Sequence, residues 1–262
     1  MSLKHFSGPW ERVPPTPKLP QWNHAEGVWI NNICLWYAEY GISLGKSSHP
    51  PVVFLHGGHI SSRWWGRQIE FMRNLPYTSL VVDTRGHGRS TDDIATPLTY
   101  KIMADDLLAL MDLLHIPRVS LVGWSDGANS SLEMAMNYPS RVDRLFCFGA
   151  NSNPDQFDIM SAANSLTFPE AGSRFEAEYN EINPSPNYGQ LSERIADLQS
   201  THPHWTRESF SAIPTPYSSI DWPLVWISSG DREEAIKRHV PRLISDMVCK
   251  QISRFGPFHS LL

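Results

Sequence analysis

Val119-Ser120-Leu121-Val122-Gly123-Trp124-Ser125-Asp126-Gly127 is an apolar run that breaks into a serine bracketed by glycines. The run lacks strict apolar and polar alternation, as a strand covered on both faces of a parallel sheet does, so it predicts a buried strand. Ala128 to Tyr138 reads as a helix. A serine between a buried strand and a helix sits on a tight elbow, and small residues two positions to either side let the backbones pass close together. Such a turn exposes the hydroxyl, and the helix N-terminus behind it favours a developing negative charge. Ser125 is the candidate nucleophile.

Outward from the elbow, the same kind of short apolar run recurs at Val52 to Leu55, Leu80 to Val82, Leu145 to Phe148 and Leu224 to Ile227. Helical patterns separate them. Met103, Leu107, Leu110, Met111 and Leu114 share one helix face, and Pro117 stops that helix. Alternating strands and helices predict a doubly wound α/β fold. Two β-branched and aromatic runs between Gly27 and Tyr40, split by Asn31-Asn32, predict a hairpin. Before it, Pro9, Pro14, Pro15, Pro17 and Pro20 predict an extended arm over 1–26, since proline fixes φ and removes a donor. The segment 151–220 carries helical patterns at Pro169 to Glu181 and Leu191 to Ser200, and its length suits a lid over the strand ends. The core then comprises 27–150 and 221–262. A final strand is placed at Gln251 to Phe255.

The chain has 262 residues, 41% hydrophobic and 19% charged, with a net charge of −5. That is enough to bury a substantial core. No basic footprint marks a nucleic-acid or anionic-membrane partner. No stretch approaches the ~20 apolar residues that a bilayer requires, and Met1 to His5 lacks the apolar core of a secretory signal. A cytoplasmic protein is expected. Cys34, Cys147 and Cys249 are scattered without metal-type spacing, so neither a disulfide framework nor a metal is expected.

His56-Gly57-Gly58-His59 follows the strand Val52 to Leu55, where glycine permits close backbone approach to a reacting carbonyl. The N–H groups of Gly58 and Asp126 are the candidate oxyanion donors. His56 and His59 read as loop-shaping residues before substrate contacts. Asp83-Thr84-Arg85-Gly86-His87-Gly88-Arg89-Ser90 reads as a tight loop braced by Asp-to-Arg hydrogen bonds, since no Gly-Lys-Ser/Thr accompanies it.

These three motifs, in this order and spacing, resemble the α/β-hydrolase superfamily, strongly over Val52 to Asn151 and moderately over Leu224 to His259. The resemblance implies a mainly parallel eight-stranded sheet, no cofactor, and a Ser, acid, His triad in that chain order. The family's Gly-x-x-Asp falls on Gly230-Asp231-Arg232-Glu233, which puts Glu233 in the acid's place and leaves Asp231 as the alternative. His259, in Gly256-Pro257-Phe258-His259-Ser260, matches the family's glycine-then-histidine loop. His202 and His204 read as surface residues. Only Ser260 to Leu262 follow His259, where the family usually adds a helix on the sheet, so the histidine loop is expected to be weakly anchored.

The implied activity is that of a carboxylic ester hydrolase acting on an ester, lactone or related acyl bond of a small molecule. Phe157, Ile159, Met160, Leu166, Phe168, Trp205 and Phe210 in the lid suggest a hydrophobic substrate. A serine argues against the branches that use aspartate, the haloalkane dehalogenases and epoxide hydrolases. It leaves carbon–carbon bond hydrolases and lyases open. A degenerate, ligand-binding member is the rival of another class, and an interaction module would rest only on Trp64, Trp65, Trp205 and Trp222. Oligomeric state is not legible.

Overall fold

The computed structural model describes residues 14–158, 168–214, 223–229, 236–237 and 239–249. The hairpin forms from β1 (His24–Ile30) and β2 (Ile33–Gly41), antiparallel. Asn31 and Asn32 both take positive φ, 43° and 64°. That is the backbone of a two-residue primed turn, which asparagine tolerates better than most residues. β1 starts at His24, inside the stretch expected to be an arm. Pairing runs on as far as His24 with Glu39, and Asn23 adds two bonds to the same edge, to the carbonyls of Glu39 and Gly41 at 2.8 and 2.7 Å.

β3 (Val52–Leu55), β4 (Thr78–Asp83), β5 (Val119–Trp124), β6 (Val142–Phe148) and β7 (Leu224–Ser228) run parallel to one another. Among the described residues the sheet has seven strands, ordered β1-β2-β4-β3-β5-β6-β7. The eighth strand expected at 251–255 lies outside the described residues. β4 is buried at every position, as its unalternating sequence predicts.

Helices cover both faces. α1 (Gly66–Met72) sets Ile69, with Trp65 just before it, against Phe54, Val81 and Tyr40 on one face. On the other, α2 (Tyr100–Leu113) and α3 (Asp126–Asn137) pack Leu107, Leu110, Met111 and Leu132 against Leu121 and Leu145. The Thr99 side chain caps α2 by accepting from Ile102 N–H at 3.1 Å.

Among the described residues three α-helices lie between β6 and β7: α4 (Phe168–Ile182), α5 (Tyr188–Thr201) and α6 (Arg207–Ser211). Tyr179, Leu191, Ile195 and Leu198 from α4 and α5 bury against Leu98, Tyr100 and Met103 at the start of α2. Phe157, Trp205 and Phe210, expected beneath the lid, instead join the main core. α6 lies against α7 (Val240–Cys249), which itself packs on β7, and so belongs to the sheet side.

Candidate active site

β3 and β5 are neighbours in the sheet, and the crossovers β3 to β4 and β4 to β5 run in opposite directions along it. The loops that leave their carboxyl ends therefore face each other across a switch point, the usual crevice for ligands in an open α/β sheet. Leu55 pairs with Gly123, which brings Gly57 opposite Ser125 two residues on. A Cβ built on Gly57 would lie 3.2 Å from Ser125 Cβ and 3.8 Å from its Oγ.

Ser125 adopts φ 54° and ψ −119°. A non-glycine residue at positive φ is strained by roughly 1–3 kcal/mol and persists only where its surroundings overdetermine it. Here they do. Ser125 N–H donates to the Phe148 carbonyl on β6 at 2.8 Å, and its own carbonyl accepts from Ala128 and Asn129 N–H at 2.8 and 3.0 Å. A side chain on Gly123 would meet the Gly127 carbonyl at 2.4 Å, and one on Gly127 would meet the Leu55 carbonyl at 2.3 Å. Both glycines are required by close backbone passage.

Asp126 opens α3, so its N–H is among those with no partner inside the helix. Its carboxyl is buried and engaged. Tyr100 Oη donates to Oδ1 at 2.9 Å and Gln199 Nε2 donates to Oδ2 at 3.0 Å. Gly58 packs against the same carboxyl, and a Cβ there would stand 2.4 Å from Oδ2. Burial raises the Asp126 pKa, outweighing its hydrogen bonds, which lower it. Beneath it, Asn129 and Asn151 exchange two bonds, Nδ2 to Oδ1 at 2.6 Å and Asn151 N–H to Asn129 Oδ1 at 3.1 Å. They tie α3 to the turn after β6. Sequence reasoning missed Tyr100, Gln199 and this pair, since no local pattern signals partners on other elements.

A family model described as "alpha/beta hydrolase fold" matches residues 50–193, more than half of the chain. The chain belongs to the α/β-hydrolase family. RutD of Caulobacter sp. (strain K31), assigned as a carbamate hydrolase, is 34% identical over 112 residues, 42% of this chain and 41% of its own. The 3-oxoadipate enol-lactonase 2 of Acinetobacter baylyi (strain ATCC 33305 / BD413 / ADP1) is 25% identical over 127 residues, 48% of this chain and 45% of its own. The chain thus spans less than half the length of these curated relatives. Among solved structures, Est816, described as an N-acyl homoserine lactone degrading enzyme, aligns with a TM-score of 0.65 at 20% identity, covering 85% of this chain and 88% of its own. That likeness shows the α/β-hydrolase fold.

Other motifs of this α/β-hydrolase chain brace the crevice. His56 accepts at Nε2 from Thr84 N–H at 3.1 Å, which leaves Nδ1 to donate to the Gly57 carbonyl at 2.7 Å. The His87 ring lies 5.1 Å from that of His56, with Nδ1 2.9 Å from the Arg85 carbonyl. Desolvation lowers the pKa of both. Asp83 accepts from Ser62 N–H at 2.8 Å and from Arg89 N–H and Nη1, both at 2.9 Å. Arg85 grips Asp106 through two bonds of 2.7 and 2.8 Å in the protein interior. These are loop-bracing networks, as the sequence predicts.

His59 lies near Tyr188 Oη, at 3.3 Å, and its ring is parallel to that of Phe175 at 6.4 Å between centroids. With Ser61, Gly88, Phe175, Glu178 and Tyr179 it lines a narrow cleft between the loop after β3 and α4. Trp64 joins the same cluster, 5.9 Å from Trp124 and 5.5 Å from Phe175. Trp65 and Trp205 pack into or against the two main cores, and Trp222 lies outside the described residues.

Ser125, Gly58 and Asp126 thus come together at one crevice. Gly230, Asp231, Glu233 and His259 lie outside the described residues. β7, which precedes the stretch expected to carry the acid, ends beside β6, where Gly149 N–H donates to the Ser228 carbonyl at 2.9 Å. His204 is exposed and His202 half-buried at the end of α5. Cys34 and Cys147 are free thiols, and burial pushes the Cys147 thiol pKa up. Among the described residues no cluster of His, Cys, Asp or Glu could hold a metal ion, and no helix is long and apolar enough to cross a membrane.

Proposed function

We propose that this protein is a cytoplasmic serine hydrolase that cleaves an ester, lactone or related acyl bond of a small hydrophobic substrate. Ser125 is its nucleophile, His259 its general base and Glu233 the acid that orients the histidine, with Asp231 as the alternative acid. The observation that carries this reading is the strained elbow: Ser125 at φ 54° with Gly57 packed against it. Neither close packing nor a plain strand-to-helix turn requires a non-glycine residue there. The names of the curated relatives, a carbamate hydrolase and an enol-lactonase, support attack on an activated carbonyl.

The reaction follows from the parts. Ser125 Oγ bonds to the carbonyl carbon as His259 takes its proton, and the N–H groups of Gly58 and Asp126 hold the oxyanion. Collapse expels the alcohol, which leaves with the proton from His259. Water, deprotonated by the same histidine, then releases the acid and frees Ser125. Residues 27–150 and 221–262 supply this machinery, and α4 and α5, within 151–220, cover it as a lid.

Ser125→Ala is expected to abolish hydrolysis of p-nitrophenyl acetate and of an ester and lactone panel graded by acyl length. Equal turnover by the variant would overturn the assignment. Rapid covalent labelling of Ser125 by a fluorophosphonate excludes the ligand-binding rival; no labelling, with tight small-molecule binding, favours it.

A further inference from the structure

The lid reaches the elbow through Gln199. Gln199, on α5, donates to Asp126 Oδ2 at 3.0 Å, while Tyr100, on α2, holds Oδ1 at 2.9 Å. Gly58 is pressed against the same group: a Cβ there would stand 2.4 Å from Asp126 Oδ2, 3.3 Å from Ile195 Cγ2 and 3.4 Å from Gln199 Nε2. One buried carboxyl, on the residue after the candidate nucleophile, therefore touches the lid, α2 and the loop after β3.

We propose that Gln199 is a positioning residue: from the lid it holds the Asp126 carboxyl, the carboxyl holds Gly58, and docking of the lid thereby assembles the oxyanion pocket. This rests on the proposed role of the Gly58 and Asp126 N–H groups as oxyanion donors. Oxyanion stabilisation depends on donors fixed before reaction, and a small displacement of either removes most of its value. A buried carboxyl that loses one of its donors turns toward the donor that remains, here Tyr100 Oη, because an unsatisfied lone pair in the interior is costly. Loss of Gln199 would then swing the carboxyl toward Tyr100 and leave Gly58 without the group it packs against. The lid would act on the rate of the chemical step and not only on access.

The test compares the parent with Gln199→Ala, Gln199→Met and Tyr100→Phe in the full chain. Three quantities are read: kcat and KM on the best ester of the panel, the rate of fluorophosphonate labelling at Ser125, and the affinity for butylboronic acid, which forms a tetrahedral adduct. Gln199→Met keeps the length and loses the amide donor, so it must match Gln199→Ala. Each is expected to lower kcat, labelling rate and boronate affinity together by about tenfold, with KM within about twofold. Tyr100→Phe should act in the same direction, and its combination with Gln199→Ala should fall short of additive, since both bear on one carboxyl. A rise in KM with kcat unchanged, or a lowered melting temperature with labelling unchanged, would make Gln199 a lid anchor and overturn the inference. Full activity of Gln199→Met would do the same. Absence of labelling in the parent would instead overturn the serine-hydrolase reading itself.

Discussion

The elbow and the helices α4 and α5 meet at the same crevice but are held there by different forces. At the elbow the decisive contacts are backbone against backbone, with Gly123 and Gly127 leaving no space for a Cβ. The helices α4 and α5, apart from the apolar patch on α2, are held by side-chain pairs. Arg63 meets Glu181 at 2.9 Å, Asn183 donates to the carbonyls of Gly88 and Ser90 at 2.9 and 3.1 Å, and Arg194 meets Asp92 at 2.9 Å. Backbone packing has one solution, whereas polar side-chain contacts can be exchanged for water one at a time. The strained serine requires the first kind of support, and the proposed lid, which must admit substrate, requires the second.

The sharpest way to break this contrast is Gly127→Ala, whose methyl would strike the Leu55 and His56 carbonyls at 2.3 and 2.5 Å. It should cost above about 4 kcal/mol in chemical denaturation, with no native fold recovered; a loss below about 1 kcal/mol would show that the elbow can yield. Next comes Asp106→Ala. Its carboxyl and Arg85 are 2% and 1% exposed, and removing one partner of such a pair strands the other charge, so about 3 kcal/mol should be lost.

The third prediction concerns pH. His56 and His87 have lowered pKa values through burial, so the folded chain binds fewer protons than the unfolded chain. Their stabilising effect is complete above the unfolded value of about 6.5 and is lost as pH falls below it. Denaturation midpoints at pH 7.5 and 5.0 should differ in that direction, and His87→Phe should shrink the difference. Smallest are the contacts of α4 and α5. Arg194→Ala should cost about 1 kcal/mol and speed proteolysis within α4 and α5 while the sheet's unfolding midpoint holds. Arg63→Ala, whose partner Glu181 is 64% exposed, should cost less than Arg194→Ala.

Local pattern accounts for what could be read in advance. The strands, the α2 face, the Asn31-Asn32 turn and the elbow all follow from neighbours two to four residues apart, where propensity and periodicity act. The helices α4 and α5 were legible for the same reason, within a few residues of their observed limits. Reading failed where partners are distant. Gln199 lies 73 residues from Asp126 and Tyr100 lies 26 away, and nothing in either neighbourhood marks them as a pair. Trp205 and Phe210 look like lid residues by position, yet α6 folds back onto the sheet side and takes them into the main core.

By itself, then, the sequence determined a doubly wound sheet, a serine on its elbow and a glycine loop to face it, because those features are set by backbone sterics within short windows. Only the tertiary structure decided what surrounds the serine. The switch-point pairing of β3 with β5 brings Gly57 to Ser125, and the docking of α2 and α5 gives Asp126 its donors. Those contacts depend on how whole elements pack, a choice made by burial of apolar faces far apart in the chain.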